Sequence, residues 1–124
     1  MFSAHNQHRA ASGLAPLQID GALVAIARQR AQDMAANNYF SHTSPTGQTA
    51  FSIMDASGYV YAAAGENIAR NNYPSSQTVD VAMNGFMNSA GHRANILQSL
   101  FTRVGIGVAT DGNGMVYYAV VFAG

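Results

Sequence analysis

The sequence predicts an α+β fold in which a small central antiparallel sheet lies between helical layers. Three observations carry this. The C-terminal stretch reads as a hairpin, Val104 to Thr110 and Met115 to Phe122, around the turn-rich Asp111-Gly112-Asn113-Gly114. In its second strand both alternating sets are apolar: Val116, Tyr118, Val120 and Phe122 on one side, Met115, Tyr117, Ala119 and Val121 on the other. A sheet that is apolar on both faces must be covered on both. The other segments read mostly as helices and few as strands, so helices supply the covers. With 124 residues, 48% of them hydrophobic, residues 1–124 form a single domain with a sufficient core.

The elements follow in order. His5 to Ser12 reads as a short helix stopped by Gly13. Its His5 and His8 are expected to be exposed; as a metal pair they lack a third ligand nearby. Pro16 forces extended chain at Ala15, and Leu14 and Leu17 anchor this loop. Asp20 is suited to cap the longest helix, Gly21 to Asn37. Leu23, Ile26, Ala27, Ala31 and Met34 form its apolar stripe, opposite Arg28, Gln29, Gln32 and Asp33.

Tyr39-Phe40 buries the next segment, and Pro45 and Gly47 suit a tight turn. A third helix spans Gln48 to Ser57, with Phe51 and Met54 inward and Gly58 as its stop. Gly65 to Ala69 reads as a short strand and Arg70 to Ser76 as a loop. A fourth helix, Thr78 to Asn88, is capped by Ser75 or Ser76. Gly85 weakens it and hints at close packing. Ser89 caps a further short helix carrying His92 in its first turn.

Composition narrows the function. Charged residues are 10% of the chain, net charge is zero, and the six basic residues are all scattered arginines. Binding to nucleic acid or to an anionic membrane surface through a basic patch has little support. The chain has no cysteine, which removes disulfides, thiolate catalysis and cysteine-based zinc sites. No signal peptide and no apolar run able to span a bilayer stands out. The start at Met1-Phe2 is already close to domain sequence, as in an excised domain whose targeting segment lies outside it.

Three ionisable residues sit in apolar or small-residue surroundings: His42, Glu66 and His92. Glu66 is the only glutamate and follows Ala62-Ala63-Ala64-Gly65. It is expected to be at least partly buried, in a salt bridge or bonded to loop N–H groups. His42 is either a site residue or a histidine bonded beneath the turn. His92 either belongs to a site or meets a backbone carbonyl. Their wide separation fits no local metal motif.

Phe40-Ser41-His42, Gly65-Glu66-Asn67-Ile68 and Gly91-His92-Arg93-Ala94-Asn95-Ile96-Leu97, in that order, resemble the CAP superfamily (cysteine-rich secretory, antigen 5 and pathogenesis-related 1 proteins, or SCP domains). His8-Arg9, Gly13-Leu14-Ala15-Pro16-Leu17 and Val104-Gly105-Ile106-Gly107 also fit. The Gly-His-Arg-x-Asn-Ile-Leu form resembles the bacterial branch, which often lacks disulfides. The resemblance implies a three-layer α-β-α sandwich and a cleft with two histidines and two acidic residues. His42, Glu66 and His92 match three of those places. Ser89 stands at the fourth, and no acidic residue lies between Asp80 and His92.

The expectation is a secreted binding module, extracellular or in the cell envelope, whose polar cleft holds a divalent metal between His42 and His92. Zinc suits two neutral imidazoles, with Glu66 binding it directly or orienting a ligand water. Ser89, Asn67 and Asn95 surround them in the cleft. The first alternative is a metal-dependent hydrolase, protease- or esterase-like, with His42, His92 and Glu66 catalytic and Glu66 the base. The second is lipid or sterol binding beside Arg70 to Pro74, Met83 and Met87. A polar network that only holds the layers together is a further possibility. The partner would be a small molecule, lipid or protein, and the protein a monomer.

Overall fold

The computed structural model describes residues 1–124. The elements run α1 (Phe2–Ala11), β1 (Gln18–Ile19), α2 (Gly21–Asn37), α3 (Ala50–Ala56), β2 (Ala64–Asn71), α4 (Thr78–Met87), α5 (Ala90–Ile96), β3 (Arg103–Thr110) and β4 (Val116–Ala123). The sheet order is β1-β3-β4-β2. β4 pairs antiparallel with both β2 and β3. The two-residue β1, absent from the sequence reading, adds parallel to β3 at Arg103 and Val104.

β4 is the central strand, and its two apolar sets meet two separate cores. Tyr117, Ala119 and Val121 pack against Leu23, Ile26, Ala27 and Met34 of α2 and Ile53 and Met54 of α3. Val120 and Phe122 pack against Met83 and Phe86 of α4, Ile96 of α5, and Leu17. The result is the expected three-layer α-β-α sandwich. Gly105 and Gly107 let α2 lie directly on β3.

Local signals hold at several ends. The Asp20 carboxylate accepts the Leu23 amide at 3.1 Å. α2 ends on Asn38 in the left-handed conformation. Thr49 and Ser52 form a reciprocal capping box on α3.

Other expectations are corrected. α1 begins earlier, at Phe2, and lays His5 into the core with no exposure, whereas it was expected at the surface. Phe51 is 38% exposed, because the two-turn α3 buries Ala50, Ile53 and Met54 instead. Arg70 and Asn71 belong to β2, not to a loop. The residue capping α4 is Gln77, without a side-chain bond, so neither Ser75 nor Ser76 caps it. Ser89 occupies the capping position of α5 but its hydroxyl accepts no cap hydrogen bond. A Cβ on Gly85 would meet nothing within 4 Å, so that glycine faces open space and no close neighbour.

Arg9 fastens α1 to the segment after α5. It is buried, and its guanidinium donates to the carbonyls of Ala15, Ile96, Gln98 and Phe101 at 2.8–3.1 Å. Four carbonyl acceptors satisfy a buried cation that has no carboxylate partner.

Candidate functional site

The site is built around β2, an edge strand. Successive strand residues point to opposite faces. Glu66, opposite Val121, faces α2; Asn67, opposite Val120, faces α5. One dipeptide therefore serves both helical layers.

On the first face Glu66 is 6% exposed, and Arg30 of α2 grips it. Arg30 Nε donates to Oε2 at 2.9 Å and Nη2 to Oε1 at 3.2 Å. The same guanidinium donates to the Ser41 carbonyl at 2.7 Å and to the Tyr39 hydroxyl at 3.0 Å. It thus holds the Tyr39–His42 segment in place. The Tyr39 hydroxyl in turn donates to Asp33. Burial and the bond to Asp33 push the Tyr39 phenol up to about 12. Burial works against the Arg30 cation, but the bonds and charge of Glu66 outweigh it and raise its pKa.

His42 approaches Glu66 from outside, with Nδ1 2.8 Å from Oε1 and a side chain 56% exposed. The carboxylate can only accept, so Nδ1 carries the proton in that bond. A neutral His42 then has its free lone pair on Nε2.

On the other face Asn67 Nδ2 donates to the His92 carbonyl at 3.0 Å. Asn95 Nδ2 donates to Asn67 Oδ1 at 2.8 Å and, more weakly, to the Glu66 carbonyl at 3.4 Å. The asparagines thereby lock α5 to β2. The His92 ring packs on Phe86 at 5.3 Å between centroids. Its Nδ1 is buried without a partner. The expected ring contact to a carbonyl is not made; the backbone of His92 is held instead. Burial, and then the nearby His42, lower the His92 pKa from 6.5.

Beside His92 opens a cleft of about 330 Å³. β2 forms its floor from Ile68 to Asn71, Phe40 and Arg70 stand on one side, and Val81, Ala82, Gly85 and Phe86 on the other. Ser89 and His92 close one end. Phe40, expected in the core, covers the cleft with the Arg70 guanidinium 4.7 Å from its ring centroid. Met83 lies in the second core and Met87 packs against it, so neither lines the cleft as the lipid reading expected.

Of the sequence-derived residues, Glu66 meets His42 directly, while Asn67 and Asn95 hold the His92 segment. Ser89 lies at the cleft end. No group of three or more His, Asp or Glu side chains is arranged to hold a metal ion. Of the residues expected to hold a divalent cation, His42 is bonded through Nδ1 to Glu66, and His92 stands near it with its Nδ1 buried. The sequence reading missed Arg30, Tyr39 and Asp33 in this role. Arg30 was findable, because it falls in phase with Ile26, Ala27 and Met34 on the buried stripe of α2.

The model of the cysteine-rich secretory protein (CAP) family matches residues 2–122. The chain belongs to the CAP family. It is 44% identical to protein YkwD of Bacillus subtilis over 108 residues, covering 87% of this chain and 40% of that protein. An extracellular Bacillus anthracis protein containing an SCP domain superposes with a TM-score of 0.85 at 34% identity, over 98% of this chain and 38% of that one. An outer surface protein of Borrelia burgdorferi shares the fold at 19% identity, with a TM-score of 0.87 over 98% of this chain and 87% of that one. The CAP chain thus spans less than half the length of YkwD and of the B. anthracis protein. No helix in it is long and apolar enough to cross a membrane.

Proposed function

We propose that this CAP domain is an extracellular or cell-envelope binding module. Its cleft takes a ligand at the His92 end, with His42 nearby, and a divalent cation such as zinc would be held weakly between the two imidazoles. One observation carries the reading: His42 Nδ1 is committed to Glu66, itself clamped by Arg30, which leaves Nε2 free. Carboxylate backing of this kind orients a metal-ligating histidine and fixes its tautomer. A bound cation would supply a Lewis-acidic anchor for an anionic or carbonyl group. The location rests on the extracellular and outer-surface neighbours.

A hydrolytic reading would cast Glu66 as base, but both its oxygens are engaged. The base left free is His42 Nε2, outside the cleft lining but near His92, and loss of turnover in His42→Ala would be its mark. A lipid or sterol would use the apolar wall of Phe40, Val81 and Phe86.

Zinc titration at pH 7.5, followed by calorimetry, tests the binding reading. His42→Ala and His92→Ala should each abolish binding. Glu66→Gln should weaken it about 10–100-fold. Binding should fade as pH falls below about 6, because protonated imidazoles do not ligate. Unchanged affinity in both histidine variants would sink the reading.

A further inference from the structure

The floor of the cleft is a strand edge without a partner. Ala63 and Gly124 exchange both backbone hydrogen bonds, which sets the parity of the β2–β4 ladder. Gly65, Asn67 and Ala69 therefore face β4, and the backbone groups of Glu66, Ile68 and Arg70 face outward. The Asn95 amide covers the Glu66 carbonyl. Nothing in the protein bonds to the outward groups of Ile68 or Arg70. Those two residues line the cleft. Arg70 is exposed and Ile68 keeps 6% exposure; unpaired N–H and C=O groups at a strand edge are a template for another strand.

The walls suit such a guest. Gly85 leaves α4 bare beside the edge. The lining contains the cation of Arg70, which pairs with no carboxylate, and no acidic side chain at all. We propose that the cleft binds an extended acidic peptide segment, which adds to the free edge of β2 as a further strand. Its backbone pairs with Ile68 and Arg70, one side chain enters the space beside Gly85, and a carboxylate meets Arg70. Backbone pairing supplies affinity, and the pockets for alternate side chains supply selection. This names the ligand class of the cleft proposed above and rests on that cleft being the binding site.

The probe is the capped pentapeptide acetyl-Val-Glu-Val-Thr-Val-amide, titrated to millimolar concentration and followed by amide shifts and hydrogen exchange. In the free protein the Ile68 and Arg70 amides should exchange quickly; the peptide should shift and protect both. Peptide N-methylated at alternate amides should not bind. Gly85→Leu should fill the cleft and abolish binding without lowering Tm. Arg70→Glu should weaken the acidic peptide about tenfold or more and favour its lysine counterpart.

No shift at Ile68 and Arg70, equal binding of the N-methylated peptide, or protection of these amides by self-pairing in the free protein would each overturn the proposal. A parallel zinc titration separates the two readings. Zinc shifts at His42 and His92 without any peptide response would sink the strand-addition proposal alone. Silence to both would sink both.

Discussion

Arg30 holds both carboxylate oxygens of Glu66, through Nε at 2.9 Å and Nη2 at 3.2 Å, and both side chains are buried. The pair joins α2 to β2 and fixes what His42 bonds. Removing one partner leaves the other charge buried and unpaired, which costs far more than the pair is worth. Arg30→Met should therefore destabilise by roughly 3–5 kcal/mol in urea denaturation. Arg30→Lys should also be damaging, since a point charge cannot replace the planar fork. Combining Arg30→Met with Glu66→Leu should recover much of the loss. Single variants within about 0.5 kcal/mol of the parent would contradict this, as that is the range of ordinary surface substitutions.

Close helix–sheet approach gives a second expectation. A Cβ on Gly107 would lie 2.3 Å from the Ala27 carbonyl carbon and oxygen and from the Arg28 nitrogen. These are backbone atoms and cannot rotate away. Gly107→Ala should push α2 off β3 and cost roughly 3 kcal/mol, the upper end of overpacking. Gly85→Ala meets no neighbour within 4 Å and should gain up to about 1 kcal/mol from helix propensity. Thermal unfolding of the two variants checks both signs; similar Tm values would refute the packing argument.

His5 makes stability depend on pH. Its ring lies 6.5 Å from that of Phe86 and 5.9 Å from that of Phe122, and its Nε2 is buried without a partner. Burial holds its pKa below 6.5, outweighing the Met1 carbonyl; His8 and Arg9 push it in the same direction as burial. Between the depressed folded value and 6.5 the unfolded chain binds more protons than the folded one. Stability is then complete above about pH 6.5 and falls as pH drops through the folded pKa. His92, also lowered, acts with the same sign. Urea midpoints from pH 7.5 to 5 should fall less steeply in His5→Leu than in the parent. An equal slope would assign the effect elsewhere.

The elements were legible where local chemistry decides them. The cap at Asp20, the stripe of α2 and the turn at Asp111 to Gly114 are each specified by neighbours in sequence. Errors occurred where a distant element decides. His5 looked like a terminal surface residue until α1 packed across the second core. Ser89 had the right position for a cap, but its hydroxyl makes no cap bond and the residue sits at the cleft end. Gly85 suggested contact, whereas its value is empty space beside β2.

The sequence alone determined the layered fold, because β4 is apolar at both of its alternating sets and must be covered twice. It also singled out His42, Glu66 and His92, because ionisable groups stand out among apolar and small residues. Only the tertiary structure decided their relationship. Strand alternation sends Glu66 to one helical layer and Asn67 to the other, and Arg30 reaches Glu66 from 36 residues away. The same holds for the open edge at Ile68 and Arg70. Which backbone groups stay unpaired depends on which strand lies beside β2, and no local pattern encodes that.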